Sequence, residues 1–181
     1  MCCLVLACIL ATKRELKISD ENEAYAKNIS ILPIIQVCIW NYVLFLTQFA
    51  SVVNYSVNDF PLALPSSLIF VYVNIFQMKV LSKIWRSANH EFILSHPSPE
   101  YIRELIIGFN CKAYIVIIFG VVAVFNMLYM PLLIIIFMSI LWVSQIIQNI
   151  WNMKSKAPSM LYILSVTFQQ LYVPVLSYYI L

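Results

Sequence analysis

Amide side chains make the most regular polar pattern in this sequence. Gln145, Gln148, Asn149 and Asn152 recur at i, i+3, i+4 and i+7, with Trp142 one turn earlier, and on a helix that spacing puts them all on one face. Inside a membrane such a stripe either joins helices through hydrogen bonds or lines a groove for a polar ligand. Gln169 and Gln170 add a second amide pair, and Asn74 with Gln77 a third. We read Trp142, Gln145, Gln148, Asn149, Asn152, Gln169 and Gln170 as a polar intramembrane face for contact with a substrate or partner helix.

Other groups that could do chemistry are not arranged to do it. His90 and His96 stand near Glu91 and Glu100, at spacings that match neither HExxH nor a zinc finger, so they read as solvated loop residues. Serine and threonine occur without a GxSxG elbow, and the two glycines, Gly108 and Gly120, cannot build a phosphate-cradling loop. The five cysteines, Cys2, Cys3, Cys8, Cys38 and Cys111, are odd in number and contain no CxxC, which makes them small core residues. The expectation is therefore no catalytic residue, no metal site and no cofactor within these residues. An N-glycosylation sequon, Asn54-Tyr55-Ser56, lies almost against an apolar block.

The elements that must position the amide face follow from composition. The 181 residues are 62% hydrophobic and 10% charged, with mean hydropathy +0.87. A soluble domain is about half apolar and a quarter charged, so an ordinary water-soluble globule is excluded. The net charge of +3 is small, and Lys and Arg flank the apolar blocks instead of forming a patch with interleaved aromatics, which removes support for nucleic-acid binding. The partner this composition does require is the lipid bilayer.

Apolar blocks of bilayer length predict an all-α, polytopic transmembrane helix bundle of about six spans, forming a single domain over 1–181. The spans are expected near 2–12, 31–53, 61–85, 113–130, 132–150 and 160–181. The first is short enough to read as a truncated stub, and it lacks the charged start and cleavage site of a signal peptide. Lys79 and Lys83 in the last turns of the 61–85 block can extend to the headgroups, and Trp85 suits the interface. Ser98 reads as a helix N-cap with Pro99 in the first turn.

Loops at 13–30, 86–111 and 151–158, with Lys112 leading from the second into the next span, hold the Lys and Arg residues outside the spans, whereas 54–59 and 127–131 hold none. Because positive residues gather on the cytosolic side, the three charged loops are expected in the cytosol and both chain ends on the lumenal or external side. Within the spans there is no central Asp or Glu, which argues against an ion-coupled carrier.

Four stretches carry a resemblance that covers nearly the whole chain. They are Gln77-Met78-Lys79-Val80-Leu81 running to Ile84-Trp85-Arg86; Tyr101 to Tyr114 with Arg103 and Lys112; Leu141 to Asn149; and Thr167 to Pro174. In order and spacing they resemble the membrane region of fungal Golgi and endosomal transmembrane RING-type E3 ubiquitin ligases, the Dsc-complex ligase subunit, and their plant relatives. The run from Ser144 to Asn149 also resembles the PQ-loop and SWEET-like signature, with Ser144 in place of its proline. Gln170 stands where the ligase family has arginine, and the family's Thr-Pro-Ser stretch has no counterpart.

The resemblance implies a membrane module of an E3 ubiquitin ligase complex in the Golgi, endosome or ER. Its partners would be other transmembrane subunits of that complex and membrane-protein substrates. The family also carries a lumenal domain before this region and a seventh span and RING after it. Zinc would enter only with that RING, and the present residues then read as a fragment or a reduced relative. A PQ-loop or SWEET-like small-solute transporter and a non-catalytic membrane scaffold are the competing readings.

Overall fold

The structure is a computed structural model that describes residues 2–21, 26–54, 60–95, 98–127, 136, 140, 142–151 and 158–180. Its helices are α1 (Cys2–Glu21), α2 (Ile31–Asn54), α3 (Phe60–Val71), α4 (Met78–Ala88), α5 (His90–Leu94), α6 (Pro99–Met127), α7 (Val143–Trp151) and α8 (Met160–Ile180). A π-helical stretch, Tyr72–Gln77, joins α3 to α4. No strand occurs among the described residues, so the expected all-α class holds.

Three described stretches, Ile31–Ala50, Leu64–Ala88 and Pro99–Asn126, are long and apolar enough to cross a bilayer. Residues 132–135, 137–139 and 141 of the block expected at 132–150 lie outside the described residues, as do Tyr55, Ser56, His96 and Asn152.

Several helices run further than the apolar blocks from which they were expected. The stub at 2–12 is the first half of α1, which continues to Glu21 through residues expected as loop. Its period explains why. Val5, Cys8, Ala11, Thr12, Glu15 and Ser19 are buried and lie at helical spacing along one stripe, while Lys13, Arg14 and Lys17 are exposed. Likewise the expected loop at 86–111 is largely helical: α5 fills part of it, and α6 starts at Pro99 and runs unbroken through Lys112 into the apolar block. Proline fits there because the first turn of a helix needs no N–H from it.

The core lies where α1 packs on α8 and where α2 packs on α3 and α6. Its side chains are mostly bulky, including Ile34, Leu44, Ile69, Leu81 and Ile117. One close approach uses a glycine: a Cβ built on Gly120 of α6 would collide with the Ile39 side chain of α2, whose Cγ1 stands 2.8 Å away. At the start of α8, Ser159 acts as the N-cap, its Oγ accepting from the Tyr162 N–H at 3.4 Å.

Candidate functional site

The amide face is built from two helices and is largely committed to internal bonds. Gln145, buried on α7, accepts from the Ser30 N–H at 2.7 Å and donates to the Asn28 carbonyl at 3.1 Å. It also donates to Asn149 Oδ1 at 3.1 Å. The side chain thus satisfies buried backbone that leads into α2. Trp142 donates its indole N–H to Thr167 Oγ1 on α8 at 3.1 Å. Gln169 donates to Asn41 Oδ1 on α2 at 2.7 Å.

Gln148 and Asn149 sit half-buried at the edge of α7, beside exposed Ile146, Ile147, Ile150 and Trp151. Gln170 is buried next to Gln169. Asn41 Nδ2, Gln169 Oε1 and Gln170 Nε2 find no partner among the described residues, so this layer retains hydrogen-bonding capacity. Asn152, the last member of the stripe, lies outside the described residues. The structure therefore divides the predicted face into Trp142, Gln145 and Gln169, which tie helices together, and Gln148 and Asn149, which stand at an open edge.

A second polar layer was not foreseen. Tyr162 on α8 donates to Gln77 Oε1 at 3.1 Å, Gln77 donates to the Tyr72 hydroxyl, and Tyr72 meets Thr12 Oγ1 on α1 at 3.0 Å. Thr12 in turn donates to the Cys8 carbonyl at 2.7 Å. Every hydroxyl proton in this chain has one acceptor, so the direction of the whole series is set: Tyr162 to Gln77 to Tyr72 to Thr12 to a backbone carbonyl.

The π-helical stretch makes the series possible. Its i to i+5 bonding, seen in the Met78 N–H to Val73 carbonyl contact, turns residues five apart toward a common side. Tyr72 and Gln77 are five apart. In an α-helix they would diverge by about 140°.

Glu15 of α1 joins the same region. It is buried, and its Oε2 accepts from the Ser159 N–H at 3.0 Å, fixing the start of α8 against α1. Cys8 adds a contact from its Sγ to the Ser165 carbonyl at 3.3 Å. Sequence reasoning passed over Glu15 because three exposed cations surround it; the signal that finds it is its place on the stripe Cys8, Thr12, Glu15 and Ser19.

A cavity opens elsewhere among the described residues. About 910 Å³ in volume, it separates α1, α4 and α6. Lys79, Lys83 and Arg86 line it and recur at i, i+4 and i+7 on α4, so they form one stripe, and His90 joins them from the start of α5. Lys83 pairs with Asp20 at the end of α1. Opposite, Ser82 donates to Asn110 Oδ1 of α6 at 2.8 Å. Deeper in, Asn74 accepts from Tyr42 at 2.7 Å and from Tyr114 at 3.0 Å, while Ile75, Met78 and Ile106 supply apolar wall.

A family model described as "Transmembrane E3 ligase/DUF2921 transmembrane domain" matches residues 1–180. The chain belongs to this transmembrane E3 ligase family. The match spans α1 to α8, so both polar layers and the cationic cavity are parts of the family's transmembrane domain. No curated protein and no solved structure matched the chain. Contact with the lipid bilayer follows from the three apolar stretches and from membership of a transmembrane domain family.

Proposed function

We propose that this chain is the membrane-embedded module of a RING-type E3 ubiquitin ligase complex in the Golgi, endosome or ER, where it recognises membrane-protein substrates or docks partner subunits. The observation that carries this reading is the family match over residues 1–180. The contact face is the open edge of α7. There Ile146, Ile147, Ile150 and Trp151 offer apolar surface to a neighbouring helix, and Gln148 and Asn149 offer amides for a polar group that such a helix cannot satisfy in lipid.

Gln145, Trp142 and Gln169 act one step behind that edge. Their bonds to Asn28, Ser30, Thr167 and Asn41 set the pose of α7 against α2 and α8. Gln145 is the amide shared with the PQ-like signature, and its closure on backbone rather than on a solute path favours the ligase reading over the carrier.

A photo-activatable residue at Gln148 of the full-length protein tests this in cells. Adducts with membrane proteins that carry ubiquitin, and that lose it when the ligase is deleted, are the expected result. Adducts with lipid alone, or with proteins whose ubiquitin is indifferent to the deletion, would overturn it.

A further inference from the structure

We propose that the cavity between α1, α4 and α6 binds the phosphate headgroup of an anionic phospholipid, with an acyl chain lying along its apolar wall. Charge is the first argument. Lys79, Lys83 and Arg86 face one carboxylate, Asp20, a surplus of two positive charges with His90 counted neutral. Asp20 pairs with Lys83, and among the described residues Lys79 and Arg86 have no ion-pair partner. Cations left unpaired beside hydrocarbon attract an anion from whatever lies at that depth.

Depth decides which anion that is. The stripe rises about 1.5 Å per residue, so Lys79 to Arg86 spans about 10 Å, the scale of a headgroup layer rather than of a point site. Below it the lining carries no charge: Ile75, 45% exposed on a membrane-crossing stretch, and Met78 stand beside Asn74, whose Oδ1 is already taken by Tyr42 and Tyr114. The cavity is therefore cationic at its outer end and uncharged at its inner end, the order of charge along an anionic phospholipid. A water-soluble phosphate would use only the outer half. A partner helix would neutralise the cations only by bringing carboxylates of its own to that depth.

Hydrogen-bond donors sit at the level of the charges. Ser82 spends its proton on Asn110 Oδ1, which leaves the Asn110 amide nitrogen as a donor at the wall. Arg86 brings a planar fork suited to two phosphate oxygens. Asp20 has the opposite effect, holding Lys83 and repelling a phosphate. The occupied site thus needs no movement of α4 and gains if Asp20 is neutral.

Purified full-length protein in nanodiscs of phosphatidylcholine with a minor share of either spin-labelled phosphatidic acid or spin-labelled phosphatidylcholine provides the test. Immobilised label is the readout. The expected result is immobilisation of phosphatidic acid in excess of phosphatidylcholine, a loss of about ten-fold in the Lys79→Gln/Arg86→Gln double variant, each basic group near an anionic headgroup contributing several-fold, and a gain in Asp20→Asn. Arg103→Gln, which removes an exposed cation of α6 outside the cavity, should change nothing.

Equal immobilisation of both lipids would overturn the proposal, and so would a loss in Arg103→Gln as large as in the double variant. Displacement by soluble glycerol phosphate as effective as by lipid would assign the site to a free anion instead. Thermal unfolding of each variant keeps the result interpretable, since Lys79 and Arg86 are exposed and their removal should leave the fold intact. The ligase reading is not tested by this measurement and stands or falls separately.

Discussion

Two polar regions lie on opposite sides of one helical rod, and they differ in how completely their groups are paired. On one side Tyr162, Gln77, Tyr72 and Thr12 pass each donor to one acceptor and finish on a backbone carbonyl. On the other, Lys79 and Arg86 face an open cavity with Asp20 already taken by Lys83. The first region closes its hydrogen bonds on itself, whereas the second, though Ser82–Asn110 and Lys83–Asp20 tie its helices together, leaves two cations over. Polarity in a membrane helix therefore signals function only where the count of donors, acceptors and charges fails to close.

The strongest way to break this contrast is Gln77→Leu. It orphans the Tyr162 hydroxyl and removes the donor to Tyr72, so unfolding in detergent should come earlier by about 2–3 kcal/mol. Thr12→Val should cost part of the same amount and add little to the double variant, because both act on one series. Retention of full stability in Gln77→Leu would mean that the series is geometry without energy.

A middle effect is expected at α7. Gln145→Leu deprives the Ser30 N–H and the Asn28 carbonyl of their partner and should cost about 1–2 kcal/mol, whereas Gln148→Leu at the open edge should stay within about 0.5 kcal/mol. Equal losses in chemical unfolding would erase the distinction between the holding and the presenting members of the stripe.

The smallest change in stability belongs to the cavity. Lys79→Gln removes a charge with no ion-pair partner among the described residues, so it should leave the melting temperature unmoved or raise it slightly as repulsion along the stripe eases. A marked fall would mean that the lysine holds the fold and would remove the basis for treating the cavity as a site.

The sequence was most legible where one physical term dominated. Hydropathy alone placed α2, expected at 31–53 and found at Ile31–Asn54, and Ser98-Pro99 marked the start of α6. It was least legible where a helix leaves the apolar layer without ending. Lys13, Arg14 and Lys17 made the second half of α1 look like loop, yet long cationic side chains reach water from a helix that stays packed. The same error hid the end of α4, all of α5, and the unbroken run of α6 from Pro99 into the apolar block.

The amide stripe was found by its spacing, but spacing could not say which members meet a partner. That depends on residues 28 and 30, more than a hundred positions away. The π-helical stretch left no trace at all, since Tyr72 to Gln77 reads as ordinary apolar helix.

Length gives α6 a mechanical property. Its 29 residues extend about 43 Å, against about 30 Å of hydrocarbon. The excess carries Glu100, Arg103 and Glu104, so it stands in the aqueous layer. Along the same unbroken rod, about 24 Å further on, Gly120 seats the Ile39 side chain with no room to spare. A force applied to the watery end is delivered, without a hinge to absorb it, to a fulcrum in the interior of the bilayer.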